Sequence, residues 1–138
     1  MSLSNSSSLV TTIPPASPME AAEHYTRKLS LETDCADVHA AIVAGNVDFT
    51  LLDVRGSKSF EKAHLPSATN LTRDLMTKET LSCFEHTGCF VVYCAGPHCN
   101  GADKAAAIIA SMGFPVKIMI GGMTGWADEG FRFEGTKI

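Results

Sequence analysis

Three short apolar runs constrain this chain more than any other feature. They are TLLDV (Thr50–Val54), FVVYC (Phe90–Cys94) and VKIMI (Val116–Ile120). Near-continuous runs of strand length read as strands buried on both faces, which is the habit of parallel sheets covered by helices. The segments between them have helical composition. Met19–Lys28 is predicted as an amphipathic helix, and Cys35–Ala44 as a second, capped by Thr33 or Asp34 and stopped by Gly45. Ser59–His64 has the composition of one or two helical turns, broken at Leu65-Pro66, and Ala68–Leu71 that of a short strand. Thr80–His86 is helical in composition. Asn100–Met112 is alanine-rich with Gly113 as its stop signal, and Met123–Glu129 closes the chain after a Gly121-Gly122 turn. Strands alternating with helices predict an α/β fold, a central mostly parallel sheet flanked by helices on both faces, with right-handed crossovers.

At 138 residues the chain is one domain's worth, with enough length to bury a core unaided. Residues 1–18 are rich in Ser, Thr and Pro and read as a flexible tail, leaving residues 19–138 as a single domain. The tail lacks the basic and continuous apolar segments of a secretory signal. A net charge of −4 without a basic run argues against nucleic-acid and anionic-membrane partners, and no apolar stretch approaches a membrane span. The five cysteines are an odd number in a chain with an ample core, which speaks against a disulfide framework and for a reducing, cytoplasmic location. No C-x2-C pair suggests a zinc site.

Cys94 is open to three readings: a nucleophile, a partner in a metal or disulfide pair, or a buried thiol. In open α/β sheets, ligands bind beyond the carboxyl ends of strands, and Cys94 ends its strand. Gly96 and Gly101 are expected to permit the tight or left-handed turns of an anion-binding nest. The helix beginning near Asn100 aims its positive end at that loop. A thiol so placed is expected to ionise easily, within the range of about 3.5–7.5 known for helix N-termini. These features favour the nucleophile, while Cys35, Cys83 and Cys89 read as buried thiols. His98 either offers charge or a proton to the loop or points to solvent. Cys99 either forms a disulfide with Cys94 or packs under the first helical turn.

The residues then show a resemblance. LLDVRGSKSFEKAHLPSATNL (Leu51–Leu71), VVYCAGPHCNGADKAA (Val91–Ala106), GFPVKIMIGGMTGW (Gly113–Trp126) and EGF (Glu129–Phe131) resemble, in order, the segments of a single-domain rhodanese. The resemblance spans about residues 33–132. It implies a rhodanese-like sheet of about five strands and a sulfurtransferase that carries sulfur as a persulfide on Cys94. The loop Ala95, Gly96, Pro97, His98, Cys99, Asn100 and Gly101 would cradle that sulfur. Asp53 and Arg55 would form a supporting ion pair or cap, His64 would hold the turn before Leu65-Pro66, and Met119, Met123 and Trp126 would pack the core and pocket rim. No metal or organic cofactor is implied. The donor would be thiosulfate or a protein or low-molecular-weight persulfide, and the acceptor cyanide or a thiol.

This chain departs from the common C-x-x-G-x-R loop by carrying Cys99 in the sixth place, and resembles the C-x-G-P-x-C-N-G-A variant. Weak thiosulfate activity is the expectation that follows. The alternative is a sulfur-carrier or redox-sensing module using Cys94 and Cys99, served by a partner desulfurase or thiol reductant. A cysteine phosphatase needs an Arg about six residues after its nucleophile, where this chain has Asn100. A metal at Cys94, His98 and Cys99 would need a fourth ligand such as Cys89 at unusual spacing.

Overall fold

A computed structural model describes residues 7–84 and 88–136. The first six residues of the tail and the end of the expected Thr80–His86 helix lie outside the described residues. Chain order runs α1 (Pro18–Leu31), β1 (Glu32–Asp34), α2 (Cys35–Ala44), β2 (Phe49–Asp53), α3 (Ser57–Lys62), β3 (Thr69–Asn70), a 3-10 turn (Arg73–Leu75), α4 (Lys78–Ser82), β4 (Cys89–Tyr93), α5 (Gly101–Ser111), β5 (Val116–Ile120) and α6 (Gly122–Asp128). The five strands form one parallel sheet in the order β1-β5-β4-β2-β3.

The central strand β4 explains why its sequence does not alternate. Phe90 and Val92 face one core with Leu52, Val54, Ala105 and Ile109, under α5. Val91 and Tyr93 face the other, with Leu51, Val38, Met119 and Trp126, under α2 and α6. Both faces are covered, so both pleat positions must be apolar. Trp126 is fully buried, and its indole N–H donates to the Arg132 carbonyl at 2.9 Å.

The fifth strand, β1, was not legible in the sequence. Its residues Glu32, Thr33 and Asp34 hold no apolar side chain, and they form a strand because their backbone pairs with Ile118, Met119 and Ile120 at the sheet edge. Asp34 also caps α2, its carboxylate accepting from the Asp37 N–H at 2.8 Å, and Gly45 ends that helix at φ 70°. Helix α1 runs longer than expected at both ends. Ser17 caps it by accepting from the Glu20 N–H, and Pro18 starts it, yet it buries no residue. Lys117 ties its end to the body by donating from Nζ to the Leu29 carbonyl at 3.0 Å.

Cys35 is buried as expected, and burial followed by the nearby Asp34 pushes its thiol up to about 11. Cys83 and Cys89 depart from expectation. Cys83 is exposed, because α4 is short and ends one residue before it, and Cys89 is half-buried at the start of β4. Among the described residues no helix is long and apolar enough to cross a membrane.

Candidate active site

Strand β4 delivers the chain to the carboxyl edge of the sheet, and Cys94 is the first residue beyond it. The loop that follows is held by the start of α6. The Met123 N–H donates to the Cys94 carbonyl at 3.1 Å, and Thr124 donates to the Ala95 carbonyl from its N–H at 3.0 Å and its hydroxyl at 3.2 Å. This contact needs backbone against backbone. Gly122 supplies it at φ +58°, where a Cβ would stand 2.5 Å from the Cys94 carbonyl oxygen.

Gly96 and Gly101 act differently from the expectation. Neither has positive φ. Their missing side chains provide space: a Cβ on Gly96 would lie 2.5 Å from the Thr124 hydroxyl, and one on Gly101 would lie 2.8 Å from the Cys94 sulfur. The open face of α5's first residue is thus where the Cys94 side chain rests.

A turn closed by the Cys99 N–H on the Gly96 carbonyl at 3.0 Å brings Cys99 back beneath the loop. Its sulfur lies 2.7 Å from that of Cys94, longer than the ~2.05 Å of a disulfide bond but well inside ordinary thiol contact. The Gly101 N–H donates to the Cys99 sulfur at 3.4 Å. Both thiols are half-exposed.

The thiol chemistry corrects a second expectation. Cys94 is shifted upward rather than downward: burial is the main cause, the hydrogen bond with Cys99 adds to it, and the Ala95 N–H opposes it only in part. Cys99 is shifted downward, first by its hydrogen bond with Cys94 and next by the Gly101 N–H. Of the two, Cys99 is therefore the thiol that gives up its proton more readily. The reason is local: α5's first N–H points at Cys99, while Cys94 sits deeper at the strand end. Of the two loop thiols, iodoacetamide at neutral pH is expected to label Cys99 first. Peptide mapping at early times checks this, and first labelling at Cys94 would reverse the assignment.

The pair opens into a pocket of about 260 Å³ between α5 and the β5–β1 edge. Its charged lining residues are Glu32 and Asp103, and neither Lys nor Arg lines it. Pro97 is at its edge, whereas the exposed His98 and Asn100 do not line it. The Arg73 cation lies near enough to draw the Cys99 thiol down. It stands on the 3-10 turn, far from the loop in sequence, and nothing local in the sequence pointed to it. The same is true of Glu32, Asp103 and Thr124.

Asp53, Arg55 and His64 do not line the pocket. Asp53 is fully buried. Its carboxylate accepts from the Arg55 backbone N–H at 2.9 Å, from the guanidinium Nε at 3.0 Å and NH2 at 2.7 Å, and from the Tyr93 hydroxyl at 2.6 Å. Tyr93 in turn accepts from the Leu65 N–H at 3.1 Å, and Arg55 NH2 donates to the Ala63 carbonyl at 2.6 Å. Burial, then the Asp53 charge, pushes the Tyr93 hydroxyl upward. Burial works against the Arg55 charge, but the hydrogen bond and charge of Asp53 outweigh it and its ionisation is shifted upward. His64 stacks on Phe60 with ring centres 3.8 Å apart, and its Nδ1 lies 2.7 Å from the Phe60 carbonyl oxygen. Among the described residues, no group of three or more His, Cys, Asp or Glu side chains is placed to hold a metal ion.

Comparison with known proteins adds the following. Residues 34–129 match the family described as the rhodanese-like domain. A crystal structure of a protein from Bacillus halodurans is 39% identical with a TM-score of 0.83, over 87% of this chain and 88% of that one. The rhodanese-like domain of a protein from Anabaena sp., solved by NMR, is 25% identical with a TM-score of 0.67, over 77% of this chain and 80% of that one. A thiosulfate sulfurtransferase from Pseudomonas aeruginosa shares the fold at 17% identity and a TM-score of 0.64, over 80% of this chain and 21% of that one. No curated protein matches.

Proposed function

We propose, given that this chain belongs to the rhodanese-like domain family, a sulfurtransferase-type family, that it moves a sulfane sulfur through a persulfide on Cys94. The observation that carries this reading is the seat of the Cys94 sulfur: beyond the end of the central strand, against the bare face of Gly101, at the mouth of a pocket. In the first step the Cys94 proton passes to Cys99, 2.7 Å away, which acts as general base. The Cys94 thiolate attacks the donor's outer sulfur. The donor leaves as sulfite from thiosulfate, or as a thiolate from a persulfide, and Cys94–S–S⁻ remains. The Ala95 N–H and the positive end of α5 offset the charge. In the second step cyanide or a thiol takes the outer sulfur and frees Cys94.

The acidic lining shapes the choice of donor. Glu32, which also pairs with Lys28 at 3.9 Å, and Asp103 both line this small pocket, where screening over a Debye length of about 8 Å is incomplete, so they disfavour a dianion. Each ~1.4 kcal/mol of such repulsion is tenfold in rate. A low-molecular-weight persulfide is therefore expected to load Cys94 at least about tenfold faster than thiosulfate. The same rim favours, as a second reading, a carrier loaded by a partner desulfurase. Such a carrier would take sulfur from that partner yet produce no thiocyanate from thiosulfate and cyanide.

The test is intact-mass analysis after brief exposure to thiosulfate or glutathione persulfide, with alkylation to trap the product, on wild type and Cys94→Ser. One added sulfur on Cys94, absent from the variant, is expected. Equal addition to the variant would remove Cys94 from the reaction. Gly101→Ala probes the seat itself. It adds a Cβ 2.8 Å from the Cys94 sulfur at a helix-starting position that alanine tolerates. Unfolding free energy is expected to change by less than about 1 kcal/mol, while sulfur uptake slows by up to about 10²-fold through misplacement of the nucleophile. Uptake at the wild-type rate would show that the space over Gly101 is not used.

A further inference from the structure

We propose that Cys99 is a resolving thiol, giving the chain a second activity: discharge of its sulfane sulfur as sulfide, with formation of a Cys94–Cys99 disulfide. The proposal rests on the Cys94 persulfide reading. Three observations carry it. The two sulfurs lie 2.7 Å apart, so Cys99 already faces the sulfur it would attack. The Gly96–Cys99 turn and the Gly101 N–H hold Cys99 in that position. Gly101 places no side chain between or beside the sulfurs.

Attack falls on the inner sulfur, Sγ of Cys94. Cys99 already faces that atom at 2.7 Å, and the outer sulfur leaves into the pocket that both thiols line. The bond between Cys94 Sγ and the outer sulfur breaks, and the Cys94–Cys99 bond forms. The two cysteine sulfurs are oxidised to the disulfide, and the sulfane sulfur takes both electrons and leaves as hydrosulfide, carrying the proton that Cys99 gives up. Glu32 and Asp103 repel that anion from the pocket. No outside oxidant is needed. Resetting the pair needs a dithiol reductant, which exchanges with the disulfide and is itself oxidised.

The test follows both fates of the sulfur. Fully reduced wild type, Cys99→Ser and Cys94→Ser are loaded anaerobically with glutathione persulfide, freed of donor, and incubated without reductant. Released sulfide is measured, and intact mass and peptide maps are taken over time. Wild type is expected to release one sulfide per loaded chain while it loses the added sulfur and two hydrogens and gains a Cys94–Cys99 link. Cys99→Ser is expected to keep its sulfur and release none. A wild type that retains its persulfide, with neither sulfide nor the link, overturns the resolving role and leaves the sulfurtransferase reading standing. A wild type that never acquires sulfur and never releases sulfide overturns both. The wild-type measurements decide the question even if Cys99→Ser loads poorly.

Discussion

Asp53→Ala is expected to lower the free energy of unfolding by about 3–5 kcal/mol, the range for breaking a buried charge network from one side. Asp53 has no exposed surface and gathers the Arg55 guanidinium, the Arg55 backbone N–H and the Tyr93 hydroxyl. Removing its carboxylate leaves a mostly buried cation and a buried phenol with their main partner gone. Among the described residues, Arg55 then keeps the Ala63 carbonyl and Tyr93 the N–H that it accepts from Leu65. The consequences reach further than the pair. The turn at Ala63–Leu65 is tied to the sheet through these two side chains, and β3 is tied through the Asn70 side-chain amide on the Asp53 and Arg55 carbonyls. Tyr93→Phe, which removes one hydroxyl and leaves the ion pair, is expected to cost less, about 1–3 kcal/mol. Denaturant unfolding of both variants checks the order. A loss below about 1 kcal/mol for Asp53→Ala would show that the network is not a support of the fold.

Gly122→Ala is expected to cost about 2–5 kcal/mol and to abolish sulfur uptake. Two terms add. A left-handed backbone costs an alanine about 1–2 kcal/mol, and Gly122 stands at φ +58°. The new methyl would also meet the Cys94 carbonyl oxygen at 2.5 Å and the Gly96 nitrogen at 2.9 Å, and overpacking against such neighbours costs about 1–3 kcal/mol. Both contacts are backbone, so no side-chain rotation relieves them. The loop must separate from α6, breaking the Met123 and Thr124 hydrogen bonds that set the position of Cys94. The comparison with Gly101→Ala is informative, since that methyl meets only the Cys94 and Cys99 side chains and leaves the backbone in place. Both variants should lose uptake, but only Gly122→Ala should lose stability. Equal stability of Gly122→Ala and wild type would mean that loop and α6 are not in contact.

Most of the layered core was legible because it depends on local pattern. Phe90–Tyr93, Leu51–Leu52 and Met119 announce buried strands by being apolar on successive positions, and α5 announces itself by alanine content and a glycine stop. β1 was hidden because an edge strand is held by backbone pairing and needs no apolar side chain. In the site, the position of Cys94 at a strand end could be read directly, and so could the closeness of Cys99 in sequence. The roles of Gly96 and Gly101 are not legible, because a glycine kept for space and one kept for left-handed backbone look alike in sequence.

The amino-acid sequence by itself determined the α/β layering and the place of a cysteine loop at the carboxyl edge of the sheet. Both follow from burial patterns and chain order, which are properties of neighbouring residues. Only the tertiary structure decided which of the two thiols gives up its proton more readily, and what charge surrounds them. The Gly101 N–H and the burial of Cys94 set the first. Glu32 arriving with β1, Asp103 on α5 and Arg73 on a distant turn set the second. Ionisation depends on distance and solvent exclusion, and those exist only once β1 has paired with β5 and α5 has packed over the sheet.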